Sequence, residues 1–305
     1  MQKVSVIIPC YQDALTLAKA INSVVQQTRR VDEIIVVNDC SPQTPLIDVI
    51  VAQFSSVVYV KNSINKGLAA TRNIGVKKST GDVLSFLDAD DEYHPQKIEF
   101  QLKLLEKNNV LTCAYQRIAT DRLAKVPINF VGKVPSTLFT SAESLVWRNR
   151  LTGAAMMIHR ETFNRMGGYN EEFRSSEDFD FWLRLLELRI PVVNIRLPLY
   201  LYLTNEQGLS RNYPNISQYE WIVVCSYLTR RRERGVISQQ QEGLIRLLYL
   251  VRQFYRYELC LDQGLLELAS SNLEQLKPWR LATVVLHSLR ASKLIKLMAW
   301  FKKHC

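Results

Sequence analysis

Short apolar runs alternate with stretches of helical periodicity along the N-terminal part of the chain. The apolar runs predict four strands, at Val4–Ile8, Glu33–Val37, Val57–Val60 and Val83–Leu87. Between these runs, apolar residues recur at the spacing of one helical face, which predicts four helices, at Ala14–Gln27, Pro45–Phe54, Leu68–Lys78 and His94–Lys107. Strands that alternate with helices indicate an α/β fold with a mostly parallel sheet and helices on both of its faces.

The pattern changes twice farther along the chain. Between about residues 110 and 204 it is less regular, and it predicts three short strands and one helix, at Ala154–Ile158, Val192–Ile195, Leu199–Leu203 and near Phe179–Leu188. Beyond Ile216 the chain becomes helical, with stretches at Tyr219–Arg234, Ser238–Leu261 and Trp279–Cys305. We therefore expect two domains, an α/β domain over residues 1–215 and a helical region over residues 216–305.

Positive charge is concentrated in this helical region. The chain has a net charge of +10, and residues 216–305 contain 14 Lys and Arg against 7 Asp and Glu. A basic section of this kind favours an anionic partner such as a membrane surface, a lipid phosphate or nucleic acid, and the alternative is a solvated basic face. No known nucleic-acid recognition module is present in the sequence, so we expect no nucleic-acid partner.

The last predicted helix, Trp279–Cys305, combines apolar and basic positions. Its apolar residues can share one broad face: Leu281, Val285, Leu289, Ile295, Met298 and Phe301. With the lysines and arginines between them, they predict peripheral contact with an anionic membrane, and the alternative is that this face packs on the first domain or on a partner subunit. The run Arg230-Arg231-Arg232 predicts either a phosphate site or a solvated helix end.

The cysteines and the start of the chain bear on location. Six cysteines form no Cys-x-x-Cys pair and no zinc spacing, which is typical of reduced thiols in an intracellular protein. The first strand begins at Val4, so we expect no signal peptide, and no uncharged apolar run approaches the roughly 18 residues of a membrane-spanning helix. The predicted location is cytoplasmic, with peripheral contact at the inner face of the cytoplasmic membrane.

Three carboxylates lie within four residues at the end of the fourth predicted strand, in Asp88-Ala89-Asp90-Asp91. Carboxylates this close repel each other unless a cation lies between them. Hard oxygen ligands suit Mg²⁺ or Mn²⁺, and such an ion keeps open positions for substrate phosphates. The alternative is a solvated acidic turn that caps the next helix.

Two further polar clusters follow the second and third strands. Asp39, within Asn38-Asp39-Cys40-Ser41, can accept hydrogen bonds from a base or a ribose at the sheet edge, or can belong to an Asx-turn that satisfies only local N–H groups. In the segment Asn65–Gly75, Lys66 and Arg72 place positive charge near the same edge, where a diphosphate could bind. Ordinary helix capping is the alternative for this segment.

The fourth cluster begins the predicted helix near residue 179. Glu177 and Asp178 precede an apolar helical face, and acidic residues at a helix N-terminus interact favourably with the helix dipole. The functional interpretation is that one of them is a general base that deprotonates an acceptor hydroxyl.

These clusters, in this order, resemble the family 2 glycosyltransferases of the GT-A fold over roughly residues 3 to 210. The resemblance rests on the following segments: Val4–Tyr11, Glu33–Ser41, Gly67–Gly75, Gly81-Asp82, Asp88–Asp91, Gly153, Gly167-Gly168-Tyr169 and Glu177-Asp178. It implies a Rossmann-like mixed sheet in residues 1–215 with a C-terminal helical extension. It also implies an inverting enzyme that moves a sugar from a nucleotide diphosphate, most often UDP, to a hydroxyl of a glycan or lipid-linked acceptor in cell-surface polysaccharide synthesis.

The resemblance also implies roles on the donor side. Pro9 and Tyr11 would line the nucleotide pocket, Asp39 would recognise the base, and Arg72 would lie beside the nucleotide. Asp88 would contact the ribose side.

On the reacting side, the resemblance implies that Asp90 of the D-x-D motif coordinates Mn²⁺ or Mg²⁺ together with Asp88, with Asp91 as a further ligand. Asp178 would be the catalytic base, and Glu177 would support the acceptor region. The metal would neutralise the charge of the leaving diphosphate.

The sequence departs from the family pattern at four positions. Asn38 and Cys40 replace a frequent Asp and a frequent Gly, while Leu203 and Asn205 stand where Arg and His are expected, so no third metal or diphosphate ligand is identified there.

Two other functions use the same fold class. A sugar nucleotidyltransferase usually has a Gly-rich basic loop after the first strand, which this sequence lacks, and a non-catalytic sugar-nucleotide-binding protein would have a broken metal motif or no base.

Overall fold

The computed structural model describes residues 2–118, 133–203 and 213–256. The chain divides into two compact units, Met1–Gly208 and Leu209–Cys305, a few residues before the predicted boundary. The predicted helix Trp279–Cys305 lies outside the described residues, as does the end of the helix predicted at Ser238–Leu261. Within the described ranges, no helix is long and apolar enough to cross a bilayer.

The first unit is built on one mixed sheet, with nine strands in the described residues. They are β1 Val4–Cys10, β2 Glu33–Asn38, β3 Val57–Lys61, β4 Val83–Phe86, β5 Glu92–Tyr93, β6 Val110–Ile118, β7 Ser136–Phe139, β8 Met157–His159 and β9 Val192–Leu203. Their order is β3-β2-β1-β4-β8-β6-β9-β5, and β7 pairs with β9. The four neighbouring strands β3, β2, β1 and β4 are parallel, as predicted, whereas β8 runs antiparallel to both β4 and β6.

Seven helices accompany this sheet in the described part of the first unit. They are α1 Ala14–Val25, α2 Thr44–Val51, α3 Leu68–Lys78, α4 Lys97–Leu104, α5 Glu143–Val146, α6 Arg160–Arg165 and α7 Glu177–Glu187. Because the sheet is covered, β1 is buried along its whole length, and alternating polar positions are not needed there. This explains why continuous apolar runs, rather than alternation, predict β1, β2 and β4.

Parallel pairing brings the polar strand ends to one edge of the sheet. Cys10 at the end of β1 is in register with Asn38 at the end of β2, and Ile7 is in register with Phe86 at the end of β4. The segments that follow these strands therefore share one edge, which is where ligands bind in open α/β sheets.

Two of the predicted elements begin later than expected. The helix predicted at His94–Lys107 is α4, Lys97–Leu104, because the chain before it is extended: β5 pairs with β9, and the backbone N–H of His94 donates to the carbonyl of Leu199, 2.9 Å away. The strand predicted at Ala154–Ile158 begins only at Met157, because Gly153–Ala155 forms a 3-10 turn.

The strands predicted at Val192–Ile195 and Leu199–Leu203 are one strand, β9. Pro198 lies opposite Ala114 of β6, where the register of the β6–β9 pair is irregular. Proline lacks the N–H of a regular ladder and is tolerated at such a bulge. The partner strand β6 was not predicted, and neither were β5, β7, α5 or α6.

The described part of the second unit is a pair of helices, α8 Tyr213–Glu233 and α9 Gln239–Arg256. The rings of Trp221 and Tyr249 stack with centroids 6.3 Å apart, and the hydroxyl of Thr229 lies 3.3 Å from Glu242, so the helices are antiparallel. Of the predicted arginine cluster, Arg231 donates to the Tyr227 hydroxyl at 2.6 Å and Arg232 pairs with Glu242 at 3.1 Å. These contacts hold two of the three guanidinium groups within the helix pair.

Candidate functional site

An acidic cluster lies at the carboxyl edge of β1 and β4. Asp88 and Asp90 follow β4, and Asp13 precedes α1 at the end of β1. Burial is the largest cause, and repulsion from Asp88 and Asp13 a smaller one, of a pKa of Asp90 that is raised to about 7. Burial and the charge of Asp88 also raise the pKa of Asp13, although a backbone hydrogen bond from Tyr11 opposes this. The three carboxylates therefore form one electrostatic unit that a cation would stabilise.

Sequence reasoning missed Asp13. Its position three residues after β1 was a usable signal, because strands β1 and β4 are parallel neighbours and their carboxyl ends share an edge. Within the described residues, no group of three or more His, Cys, Asp or Glu side chains converges with metal-binding geometry. No hydrogen bond from another described residue reaches the Asp90 carboxylate, so this side chain is available to a ligand.

Asp91 differs from its two neighbours, because the fold uses both of its oxygens. The hydroxyl of Tyr200 donates to Oδ2 at 2.7 Å, and the backbone N–H of Leu203 donates to Oδ1 at 2.8 Å. Burial, with repulsion from Asp90 and Asp88, raises the pKa of Asp91 to about 9. These contacts tie the acidic turn to β9, and the predicted role of Asp91 as a metal ligand stays a prediction.

Arg72 of α3 connects the acidic cluster to the start of α7. Its side chain is only 2% exposed, and it donates to Asp88 Oδ1 at 2.7 Å and to Glu177 Oε1 at 2.5 Å. Its guanidinium also lies over the ring of Tyr169, 5.5 Å from the centroid. Burial alone would lower the pKa of Arg72, but the two carboxylates hold it well above its usual value. Both outer nitrogens of this arginine are therefore committed to protein carboxylates.

Asp178 lies beside this ion pair and is partly exposed. Burial and the adjacent Glu177 raise the pKa of Asp178 to about 7, against the opposing charge of Arg72. The backbone N–H of Gly153 donates to Asp178 Oδ2 at 3.2 Å. A Cβ at position 153 would lie 2.4 Å from the Cβ of Asp178, so only glycine fits against this carboxylate.

Asp39 organises the loop that precedes α3. Its carboxylate accepts hydrogen bonds from the Asn62 amide at 2.8 Å and from the backbone N–H groups of Lys66 at 2.9 Å and Gly67 at 2.8 Å. Gly67 has a φ of +86°, in the left-handed region that favours glycine. A carboxylate has about four acceptor positions, so one remains for a base or ribose.

The neighbouring departures from the family pattern have visible consequences. Asn38 accepts from the Ser41 N–H at 2.9 Å, so Asn38 makes a local turn here, whereas the turn that the sequence offered as an alternative was for Asp39. Cys40, where glycine is frequent, adopts a φ of +55°. A residue with a side chain is strained by about 1 kcal/mol in that region, so this turn costs more with Cys40 than it would with glycine.

The remaining predicted donor-side residues follow the same edge. Pro9 is buried within β1, while Tyr11 immediately follows the strand and is 38% exposed. The structure thus joins Asp88, Arg72 and Glu177 in one contact chain with Asp178 beside it, and places Asp39 and Tyr11 at the ends of neighbouring strands. The functional roles predicted for these residues remain predictions.

Comparison with known proteins gives the family. The sequence model described as Glycosyl transferase family 2 matches residues 5–167. A glycosyltransferase of Haemophilus influenzae is 34% identical over 186 residues, which is 60% of this chain and 62% of that protein. A glycosyltransferase of Rickettsia felis is 28% identical over 241 residues, 78% of this chain but only 40% of that protein. The chain therefore spans less than two thirds of the length of these relatives.

A relative with a more specific name is the Escherichia coli UDP-Glc:alpha-D-GlcNAc-diphosphoundecaprenol beta-1,3-glucosyltransferase WfgD. It is 25% identical over 230 residues, 74% of this chain and 86% of WfgD. Among solved structures, Staphylococcus aureus TarS 1-349 in complex with UDP-GlcNAc matches with a TM-score of 0.62 and 17% identity, covering 86% of this chain and 77% of TarS. The similarity to TarS confirms the predicted GT-A fold.

Proposed function

The chain belongs to glycosyl transferase family 2, and from this premise we propose that it is an inverting glycosyltransferase that uses a nucleotide-diphosphate sugar. The observation that carries the proposal is the contact chain from Asp88 through Arg72 to Glu177, next to Asp178. It fixes an acidic cluster, suited to a metal-bound diphosphate, beside a carboxylate with the pKa of a general base. Neither feature alone would specify group transfer.

We propose Mn²⁺ or Mg²⁺ as the cofactor, held by Asp90 and Asp88. The residues fit such an ion, because no other described residue donates to the Asp90 carboxylate, and burial together with the charges of Asp88 and Asp13 raises its pKa to about 7. One or two protein carboxylates are typical of Mg²⁺ sites, in which phosphate oxygens and water complete the coordination. When bound, the ion would neutralise negative charge on the leaving diphosphate.

In the proposed reaction, Asp178 removes the proton of an acceptor hydroxyl. That hydroxyl attacks C1 of the sugar from the face opposite the diphosphate, so a single displacement inverts the anomeric centre. A base is most effective when its pKa lies near the working pH, and the pKa of Asp178 at about 7 meets this condition. The backbone N–H of Gly153 holds the carboxylate in place.

For the substrates, we propose a UDP-linked donor and a glycan or lipid-linked acceptor in cell-surface polysaccharide synthesis. The name of WfgD, which specifies UDP-glucose and a sugar linked to a lipid diphosphate, supports this choice. We keep peripheral contact between the basic C-terminal region and the cytoplasmic membrane face as part of the proposal, because a lipid-linked acceptor would be presented there.

Hydrolysis of a panel of nucleotide sugars, with and without Mn²⁺ or Mg²⁺, tests the proposal. We expect metal-dependent release of the nucleotide diphosphate, abolished by Asp90→Asn. Asp82→Asn is the matched control, because Asp82 is exposed immediately before the start of β4, at the opposite end of the strand from Asp88 and Asp90, and should leave activity unchanged. Metal-independent hydrolysis, or equal activity of the Asp90 variant, would contradict the proposed donor site. Tight binding without any turnover would instead support a non-catalytic binding protein.

A further inference from the structure

A surface pocket of about 610 Å³ lies outside the residues assigned above. It is lined by Tyr115, Arg148, Asn149, Arg150, Leu151 and Thr152. Leu151 is the only aliphatic residue among them, and the charged residues are both arginines. A pocket with this lining favours a polar, negatively charged ligand over an apolar one.

The two arginines are available to a ligand. Arg148 and Arg150 are both exposed, and neither guanidinium has a hydrogen bond or ion pair within the described residues. This distinguishes them from Arg72 and from Arg184, which pairs with Asp180 at 2.7 Å. Arginine binds phosphate and carboxylate groups through two parallel hydrogen bonds, so two such side chains at one pocket would suit an anionic group.

The pocket adjoins the proposed base through one peptide. Thr152 lines the pocket, and the next residue, Gly153, donates its backbone N–H to Asp178. Strand β6 holds this wall in place, because the hydroxyl of Thr112 donates to the carbonyl of Thr152 at 2.9 Å. The wall of the pocket and the Asp178 carboxylate are therefore linked by the single peptide between Thr152 and Gly153.

Tyr115 gives the pocket an apolar wall that suits a sugar. Its side chain is 46% exposed, and its ring contacts that of Tyr202 with centroids 5.8 Å apart. The register of β6 is irregular on both sides of Ala114, and such bulges redirect the side chains that follow them. The exposed ring lies in the same pocket as the two arginines, so it can pack against a sugar whose charged substituent they bind.

We propose that this pocket binds the acceptor, and that the acceptor carries an anionic group, phosphate or carboxylate, which Arg148 and Arg150 hold near Asp178. The inference rests on the proposed function, since it assigns the second substrate of that reaction. It narrows the acceptor from any hydroxyl-bearing glycan to an anionic one. Neither Arg148 nor Arg150 is a catalytic residue in this proposal, because both position the acceptor.

Binding of small sugar probes to the full chain tests the pocket directly. N-acetylglucosamine 1-phosphate, glucuronic acid and neutral N-acetylglucosamine would each be titrated with saturating UDP and Mn²⁺ present, so that the nucleotide site is occupied. We expect both anionic probes to bind the wild-type chain more tightly than the neutral one. The tighter of the two identifies whether phosphate or carboxylate is the natural group.

The double variant R148Q/R150Q should weaken binding of the tighter anionic probe at least tenfold, while neutral N-acetylglucosamine binds as it does to the wild type. Arg165→Gln is the matched control, because Arg165 is an exposed arginine of α6 outside the pocket. This variant should bind the anionic probe as tightly as the wild type does. Unchanged binding in the double variant, or equal affinity of the neutral and anionic probes, would overturn the assignment. Donor hydrolysis is measured separately, so an inactive donor site would count against the proposed function without affecting this result.

Discussion

Replacing Arg72 with methionine should destabilise the fold and shift the pH dependence of catalysis together. Methionine keeps much of the apolar volume but removes a guanidinium that donates to Asp88 and Glu177. The Glu177 side chain is 7% exposed, and removal of one partner of a buried ion pair destabilises proteins by about 3–5 kcal/mol. The Asp88 side chain is 31% exposed, so water screens its ion pair with Arg72. Loss of that pair should add only about 0.2–1 kcal/mol to the destabilisation.

The expected loss is therefore about 4 kcal/mol of the free energy of unfolding, a large part of the roughly 5–15 kcal/mol that stabilises a typical protein. Equilibrium urea unfolding, followed by circular dichroism and by tryptophan fluorescence, to which the buried Trp182 contributes, measures it. The second variant R72M/E177Q removes the unpaired charge and should recover at least half of the loss. Lys103→Met is the control, because its partner Glu99 lies on an exposed helix face and the change should be within about 1 kcal/mol.

The R72M variant should also change the pH dependence of catalysis. The charge of Arg72 lowers the pKa of Asp178, so its removal raises that pKa further. The acid side of the pH–rate profile should then move to higher pH, which a purely structural role would not produce. An R72M protein as stable as the wild type, with an unshifted profile, would refute the assignment of Arg72 as the link between the two halves of the site.

Three further predictions follow from single residues. Because the proposed base Asp178 acts only when deprotonated and its pKa is about 7, transfer should fall as the pH drops through 7, and Asp178→Asn should abolish it. Gly153→Ala should lower kcat at least tenfold with little change in donor KM, since the added methyl displaces Asp178, and steady-state kinetics decide this. Burial lowers the pKa of Lys97 to about 8 from 10.5, so wild-type stability relative to Lys97→Met should rise by roughly 3 kcal/mol between pH 8 and 10.5. A pH-independent difference in urea unfolding would contradict the last prediction.

The sequence shows most directly the strands that are buried on both faces. Strands β1, β2 and β4 are covered on both faces, so each appears as an unbroken apolar run that local pattern alone reveals. Strand β6 was missed because Gln116 and Arg117 interrupt its apolar character, and its identity as a strand comes from pairing with β9, about 80 residues later. Pairing between distant segments is a tertiary property that a local window does not contain.

In the candidate site, too, the sequence shows the local clusters but not the contacts between distant residues. The acidic turn after β4 and the Glu177-Asp178 pair stood out as local clusters, but the bond between Arg72 and Glu177 joins residues 105 positions apart. The sequence placed Arg72 near a diphosphate without indicating that protein carboxylates already occupy it. Asp13 was missed because a single acid before a helix is ordinary, and only the pairing of β1 with β4 makes it part of the cluster.

The commitment of Arg72 changes the electrostatic argument for the donor site. A diphosphate at this edge would face Asp13, Asp88 and Asp90, and the buried guanidinium of Arg72 already donates to Asp88 and Glu177. Lys66 is exposed to solvent, where its charge is screened. We therefore propose that the positive charge needed to hold two phosphates against three carboxylates comes with the ligand, as a divalent ion on Asp90. In this proposal, the negative cluster would repel a free nucleotide, and donor binding would depend on the metal.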